Sequence, residues 1–358
     1  MPTLIEEKTE IKKPVRLQDV ARAAGISLAT ASLALNGRGR VSLATQQEVR
    51  RIAQEMGFEA DLSAQRLATG HSNTQIGLFT RSLDLGVGTR KLQILQGLLF
   101  EKGYNAAIHS SGYYRGNQVV EHAALLRDLR RQRPLAIVVY SALLLNNAAY
   151  NELKQYADEG GHLITFDTPS NLDCDQVIFD RADSAEQATT HLLELGHRQI
   201  AFAMPGIYDD STRVPGYRNA LHKYDVPFQD HLLFNCQQAT PGEIVGRQLA
   251  EDFLSCPQKP TAICIPDDIV AASFIAALYR QGISVPCDLS VVSHDDLLIA
   301  AHNFVPLSTV SQPMKEIAQA VVELLTSRIE GRHTGESRTV TLYGQLITRQ
   351  STLPLHEK

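Results

Sequence analysis

From Gln75 onward the chain alternates short apolar runs with longer helical stretches, and this alternation restricts it to a parallel α/β architecture. The apolar runs Ile76–Phe79, Ala106–His109, Ala136–Tyr140, Leu163–Phe166, Gln176–Ile178, Ile200–Ala203, Ala262–Ile265 and Leu289–Ser293 read as strands. Between them lie helical stretches at Lys91–Lys102, Val119–Arg131, Tyr150–Glu159, Ser184–Leu195, Val214–Lys223, Glu243–Leu254, Ile269–Gln281 and Lys315–Ile329. Parallel neighbours need a long crossover, and a helix supplies it. Eight strands over about 280 residues suit two doubly wound sheets better than one. A ligand of such sheets lies beyond the carboxyl ends of the strands.

The preceding segment follows another pattern. Residues 1–13 are polar and read as a tail. Leu17, Val20, Ala21 and Ala24 recur at helical spacing, and Gly25 ends the pattern. Ser27 is placed to cap a second helix that turns Ala31 and Leu35 inward and ends near Asn36-Gly37. Ser42 opens a third, with Val49, Ile52, Ala53 and Met56 on one face and Gly57 as its stop. The short Ala24-Gly25-Ile26-Ser27 link fits a helix-turn-helix. Ile11 to Phe58 holds eight Lys/Arg against three acids, whereas residues 71–358 hold 24 against 31. A head at +5 on a body at −7 directs a polyanion to the head, although a solvated basic face has the same composition.

Several classes are excluded. With 44% hydrophobic and 20% charged residues the composition is that of an ordinary globular protein. The longest nearly apolar run, Leu135 to Leu145, falls short of the roughly 20 residues that span a bilayer, so no membrane partner is expected. The charged N-terminus does not read as a secretory signal. Five scattered cysteines without a Cys-x-x-Cys pair argue against a disulfide framework and a zinc site, and suit a reducing cytoplasm. His294, Asp295 and Asp296 are adjacent at a strand end and point in alternate directions, so they do not chelate together. Gly86-x-Gly88 lacks the rest of a dinucleotide or phosphate-loop fingerprint. No catalytic motif is present, and no enzyme activity, cofactor or metal is expected.

The stretch Val15-Arg-Leu-Gln-Asp-Val-Ala-Arg-Ala-Ala-Gly-Ile-Ser-Leu-Ala-Thr-Ala-Ser-Leu-Ala-Leu-Asn-Gly37 resembles the headpiece of the lactose/galactose repressor (LacI/GalR) family. Val41-Ser42, Thr45, Val49, Met56-Gly57-Phe58 and Leu62-Ser-Ala-Gln-Arg-Leu-Ala-Thr-Gly70 continue the resemblance. Later pieces are Asp180, His191-Leu-Leu-Glu-Leu-Gly-His-Arg198, Arg213-x-x-Gly-Tyr217, Arg280-x-Gly-x-x-Val-Pro-x-Asp288, Asp295 and Gln312-Pro313. Together they cover roughly residues 14–358, and their order and spacing are highly specific. The resemblance implies an all-α helix-turn-helix headpiece (14–59), a hinge helix (60–71) and a two-lobed, periplasmic-binding-protein-like core of doubly wound parallel sheets. It assigns 72–180 and 313–335 to the N-terminal lobe, and 181–312 and 336–358 to the C-terminal lobe. The implied function is a dimeric, ligand-responsive regulator of transcription, a repressor, on a near-palindromic operator in double-stranded DNA.

The resemblance places Leu28, Ala29 and Leu33 at the base-reading positions, where relatives carry polar or aromatic side chains. Leucine and alanine contact a thymine methyl but form no bidentate hydrogen bonds, so specificity leans on apolar contact and DNA shape. Buried core positions are the alternative for the two leucines. Ser27, at a helix N-terminus, is placed for phosphate, with Thr30, Ser32, Asn36 and Arg38 beside it. For Arg40, Arg50 and Arg51 a solvated basic face is an equal reading. In the hinge, Leu67 matches the family's minor-groove wedge, flanked by Ala64 and Arg66. A plain linker is the alternative.

In the cleft, Arg213 offers a fork of donors, and Asp295, Asp267 and Asp167 at strand ends offer acceptors. That set suits a sugar first and a nucleobase or nucleoside second; helix caps and interlobe salt bridges are the structural alternatives. Asp268 reads as the cap of the helix beginning at Ile269. The aromatic that the family usually carries after the first strand is missing from Arg81–Arg90, which points to an unusual effector. A receptor whose head has lost DNA function, and an enzyme with an appended head, are the competing readings. With no leucine-heptad tail after Pro354, dimers rather than tetramers are expected.

Overall fold

The structure, a computed structural model, describes residues 15–35, 41–58, 74–81, 83, 86–110, 122–142, 145–205, 212–236 and 242–355. Two compact units divide at Asn73/Thr74.

The first unit holds helices α1 (Leu17–Ala23), α2 (Leu28–Leu35) and α3 (Leu43–Met56). Ser42 caps α3 by accepting from the Thr45 amide at 3.2 Å, and Gly57 ends it at φ 67°, a left-handed turn that glycine adopts at no steric cost. Val20, Ala34, Val49 and Ala53 form the core of the three-helix unit. Alanine rather than leucine at the centre lets the short helices approach closely. Of the expected inward residues of α2, Ala31 is fully buried and Leu35, half-buried, packs against this core; Ala34 joins them.

The second unit contains two six-stranded sheets. The N-terminal lobe has β1 (Gln75–Thr80), β2 (Asn105–Ser110), β3 (Ala136–Tyr140), β4 (His162–Asp167), β5 (Asp175–Phe179) and β11 (Thr339–Leu342), in the order β11-β5-β4-β3-β1-β2. The C-terminal lobe has β6 (Ile200–Pro205), β7 (Leu233–Cys236), β8 (Ala262–Ile265), β9 (Ser290–Asp295), β10 (Ser308–Ser311) and β12 (Gln345–Ile347), in the order β12-β10-β9-β8-β6-β7. All pairings are parallel except β10 with β12. The near-continuous apolar runs follow, because helices bury both faces of each sheet.

Helices α4 (Val87–Glu101) and α12 (Met314–Ile329) share one core with the N-terminal sheet, and α5 (His122–Arg131) and α6 (Asn147–Asp158) share the other. In the C-terminal lobe α9 (Gly242–Ser255) and α10 (Asp268–Tyr279) cover one face, while α7 (Arg181–Glu194) and α8 (Val214–Lys223) cover the other. A five-residue helix, α11 (Leu298–His302), follows β9.

Residues 336–358, assigned by sequence to the C-terminal lobe, are divided between the lobes. β11 pairs with β5 in the N-terminal sheet, and only β12 joins the other. Asp175, at the start of β5, accepts from the Arg338 guanidinium at 2.5 Å and the Arg338 amide at 2.8 Å, and from Arg328 Nη2 of α12 at 2.7 Å. These bonds draw the returning chain onto the open edge of β5.

Glycines set the closest helix contacts. A Cβ on Gly216 of α8 would lie 1.8 Å from the Ala182 carbonyl oxygen of α7. Gly97 of α4 has nothing within 4 Å. Gly216→Ala is therefore expected to lower stability by about 3 kcal/mol or more, since a backbone carbonyl has little room to give. Gly97→Ala is expected to raise it by about 0.5–1 kcal/mol. Denaturant midpoints of the two variants test the contrast, and equal shifts would contradict it.

Candidate functional site

Two features bear on function, one in each unit. In the first, Ser27 Oγ accepts from the Thr30 amide at 3.1 Å and lies 2.8 Å from Thr30 Oγ1, so Ser27 caps α2. With Ala31 and Ala34 buried, the opposite face carries Leu28 (46% exposed), Leu33 (42% exposed) and exposed Ala29. Thr30 and Ser32 are half-buried beside them. An apolar surface on a short capped helix leaves hydrophobic area unburied, which marks a contact surface rather than a core. Arg51 is engaged by Glu48 at 2.6 Å and Glu55 at 2.5 Å, so it belongs to a surface ion-pair group. Asn36, Arg38, Arg40, Ala64, Arg66 and Leu67 lie outside the described residues.

In the second unit, the two lobes meet through a buried polar chain. Asp167 ends β4 and Asp295 ends β9, the third strands of their respective sheets. Both have positive φ, 88° and 106°. A non-glycine residue held there stores strain of about 1–3 kcal/mol, which surrounding bonds must offset. For Asp167 those bonds are extensive. Its carboxylate accepts from Lys91 Nζ, from Ser141 Oγ at 2.7 Å and from Arg181 Nη2 at 2.5 Å. Arg181 Nη1 also donates to the Asp167 carbonyl at 2.7 Å.

Lys91 is completely buried on α4, near the Phe179 and Tyr140 rings (5.5 and 6.0 Å to the centroids). Its ammonium also donates to Gln312 Oε1 at 2.5 Å. An ammonium has no acceptor, so the Gln312 oxygen must face Lys91 and its NH2 must face away. That NH2 donates to Asp295 Oδ1 at 2.5 Å. The chain Asp167–Lys91–Gln312–Asp295 thus runs continuously from one lobe to the other.

The electrostatics differ at its two ends. Burial pushes the Asp167 carboxyl up, but the Arg181 and Lys91 cations outweigh it and hold the group below the usual carboxylate range. At Asp295 burial prevails over Arg213 and Gln312, and the carboxyl rises. Asp268 is pushed well up, first by burial and then by the Asp295 charge. His294 is held down to about 3 by burial and by Arg213.

A polar cavity of about 70 Å³ opens along this chain. Arg181, Arg213, Asp267, Asp295, Gln312 and Tyr140 line it, together with the start of α4 at Gly86–Gly88. Of the four sequence-predicted effector residues, Arg213, Asp267 and Asp295 converge there. Asp167 does not: it is fully buried behind the wall, its carboxylate engaged by two cations and a hydroxyl. The expected capping role of Asp268 is also corrected. Asp267 is the extended residue before α10, and its Oδ1 accepts from the Ile269 and Val270 amides at 2.7 and 2.9 Å. Asp268 is already helical and points inward, accepting from Ser293 Oγ at 2.5 Å, Thr309 Oγ1 at 2.9 Å and the Leu297 amide at 2.7 Å.

Lys91, Arg181 and Ser141 were not singled out by the sequence, and Gln312 was noted only as a motif residue. A signal existed for Lys91: it shares the helical phase of Leu92, Leu95 and Leu99, all buried. A lysine on a core face demands a buried counter-charge. A larger recess of about 870 Å³, lined by residues of both lobes that include Arg90, Gln93, Ser273, Leu298 and Ile299, shares Gly86 with the cavity.

Residues 16–61 match the family described as bacterial regulatory proteins, lacI family, and residues 189–352 match the periplasmic binding protein-like domain. The HTH-type transcriptional regulator DegA of Bacillus subtilis (strain 168) is 28% identical over 95% of this chain and 98% of its own length. The HTH-type transcriptional repressor PurR of Vibrio atlanticus (strain LGP32) is 25% identical over 95% and 99%. In fold, the chain is similar to the lac repressor dimer bound to operator and the anti-inducer ONPF, with TM-score 0.74, 24% identity, and 95% and 100% of the chains covered. The transcriptional regulator CelR–cellobiose complex gives TM-score 0.69 at 24% identity over 94% and 99%.

The ionic chain predicts an unequal pair of variants. Asp167→Asn leaves two buried cations without their carboxylate and is expected to cost about 3–5 kcal/mol. Lys91→Met leaves Asp167 still bound by Arg181 and Ser141, and is expected to cost less, about 1–3 kcal/mol. The native Asp167 pKa lies below the unfolded value, about 3.9. Its stabilisation is therefore present above pH ~4 and is lost as pH falls toward the native pKa. The difference between wild type and Asp167→Asn should narrow between about pH 4 and 2 in denaturant titrations; a constant gap would contradict the assignment.

Proposed function

Because the chain belongs to the lacI family of bacterial regulatory proteins, we propose that it represses transcription as a homodimer on a near-palindromic operator, under control of a small polar effector held between its lobes. The curated relatives are regulators and repressors of transcription, so the chain is a DNA-binding regulator and not an enzyme. The observation that carries the finer reading is the outward face of α2. A helix-turn-helix places its second helix in the major groove, and Leu28, Ala29 and Leu33 are the side chains this one presents. They suit thymine methyl groups, and they leave the remaining selectivity to DNA deformability and to the hinge at Ala64, Arg66 and Leu67. Ser27, Thr30, Ser32, Asn36 and Arg38 supply the phosphate contacts in this reading.

The dimer reading is supported by the apolar surface beside the larger recess. Leu298 is 80% exposed and Ile299 37%, and both border it. A second copy of the chain covers such a patch with matching residues about a two-fold axis, and that symmetry imposes the palindrome. The effector acts by population shift: it binds one arrangement of the lobes better than the other, and so changes how the two heads engage DNA. Arg213, Asp295 and Asp267 receive a sugar-like ligand, with Asp167 supporting the site from behind through Lys91 and Gln312.

Sequence selection from random duplexes at about 0.15 M salt tests this reading, because phosphate-driven affinity varies steeply with salt. The expected product is an enriched near-palindrome. No enrichment, with or without pooled sugars and nucleosides, would remove the operator-binding claim. In light scattering the wild type is expected to be a dimer and Leu298→Glu largely a monomer; a monomeric wild type would contradict the symmetry.

A further inference from the structure

The four residues Asp295 to Leu298 join the cavity to the surface. Asp295 is in the cavity wall, Asp296 and Leu297 line the larger recess, and Leu298 borders that recess as an exposed apolar side chain, with Ile299 beside it. Each of the first three is tied to a different element. Asp295 Oδ1 accepts from Gln312, just before α12. Asp296 Oδ1 accepts from Arg349 Nη2 at 2.6 Å, in the chain beyond β12. The Leu297 amide donates to Asp268 Oδ2 at 2.7 Å, in the first turn of α10. A displacement of one of these residues is therefore passed to the next, because no untied neighbour stands between them to absorb it.

The backbone of this turn is strained. Asp295 and Asp296 have φ of 106° and 53°, and among the described non-glycine residues no other two neighbours both have positive φ. Aspartate tolerates the left-handed region better than most residues, but 106° lies beyond it. Two such residues in series persist because the side-chain bonds hold them. Loosening one bond lets the turn relax toward ordinary backbone angles, which re-aims the segment that follows.

That segment has little else to hold it. α11 has five residues, too few to persist as a lone helix, and Ala300 is its one buried residue. Its return is held by the same arginine: Arg349 Nη1 donates to the Leu307 carbonyl at 2.9 Å, and the Leu307 amide donates to the Ala300 carbonyl at 2.7 Å. Arg349 thus clamps the excursion from Asp296 to Leu307 at both ends. Asp268 is the fixed point on the other side. It is fully buried, and its Oδ1 accepts from Ser293 Oγ of β9 and Thr309 Oγ1 of β10, so the sheet sets its position. The Leu298–Ile299 patch is therefore mounted on a strained turn between two clamps, and the other end of that turn is the cavity wall.

We propose that the turn Asp295–Leu298 is a relay from the cavity to the self-association surface: a displacement of Asp295 is passed through the ties of Asp296 to Arg349 and of Leu297 to Asp268, and moves the apolar patch that meets a second copy. Arg349 and Asp268 are its positioning residues. The inference rests on the dimer reading for what covers the patch. It adds a path from the cavity to the subunit contact that lies within the C-terminal lobe, and so subunit affinity becomes sensitive to the state of the cavity.

The test is the dimer dissociation constant of the full-length protein, from sedimentation over a dilution series, for wild type, Gln312→Leu, Arg349→Gln, Arg349→Lys and the double variant Gln312→Leu/Arg349→Gln. Gln312 is buried in the cavity wall, so its side chain does not itself meet a second copy. Gln312→Leu releases Asp295 and is expected to raise the constant about fivefold or more. In the Arg349→Gln background the same change is expected to act by less than about twofold, since the relay is already cut. Arg349→Lys keeps a cation for Asp296 and should recover part of the Arg349→Gln loss. Amide exchange gives a second readout: in Gln312→Leu it should quicken over residues 297–302 and not over α10, whereas a general loss of stability quickens both. Asp295→Gly removes the acceptor of Gln312 while allowing the positive φ, and serves as the cut if Gln312→Leu does not melt as a folded protein. A dimer constant unmoved by the cut, effects of Gln312 and Arg349 that simply multiply, or exchange that quickens over α10 as much as over α11 would each overturn the proposal. A wild type that is monomeric at every concentration would overturn the dimer reading together with the relay, whereas a dimer indifferent to the cut overturns the relay alone.

Discussion

Two aspartates end the third strands of the two sheets, and they coexist in the buried seam between the lobes because Lys91 and Gln312 lie between them. Removing either connector leaves a buried charge or a buried amide without its bond, which costs more than the bond itself contributes. That asymmetry fixes much else. It holds Asp167 in a strained backbone conformation, orients the Gln312 amide, and sets Asp295 against the cavity wall. The lobes are thus joined by a chain of donors and acceptors whose direction is imposed by a lysine that only donates. In the proposed reading, a ligand that engaged Asp295 or Arg213 would change the terms of that chain and reach the N-terminal lobe through Gln312 and Lys91.

Much of this was legible in the sequence, for physical reasons that differ by element. Strands buried on both faces read as unbroken apolar runs, so β1, β3, β4, β6 and β8 stood out. β7, β10, β11 and β12 did not. They have three or four residues each, and β11 and β12 are sheet edges with half-exposed side chains, too short for a periodic signal. The lobe that β11 joins is decided by the Asp175 ion pairs, which link residues more than 150 positions apart and leave no local trace.

The site shows the same division. Arg213 and Asp295 were marked by their motifs at strand and helix ends, and the structure brings both to one cavity. Lys91 was not marked, because a lysine in a helix is usually solvated; only its phase with Leu92, Leu95 and Leu99 separated it from a surface residue. The exchange of roles between Asp267 and Asp268 turns on a single step of backbone conformation, extended at one and helical at the next. Helix boundaries are not resolved that finely by residue preference. In the head, α2 was placed correctly, and Ala34 joins the expected Ala31 and Leu35 on its inward side. In the proposed reading, the outward leucines would meet thymine methyl groups rather than hydrogen-bond patterns.

The most direct test of the interlobe chain is operator affinity measured by fluorescence anisotropy for the wild type and for Gln312→Leu, on the same selected duplex and at the same salt. Gln312 belongs to the core unit and not to the head. If the chain governs how the lobes are held, cutting it should alter operator affinity by about fivefold or more, the usual scale of coupling between sites. An unchanged affinity in a variant that melts as a folded protein would show that the chain only stabilises the core and takes no part in regulation.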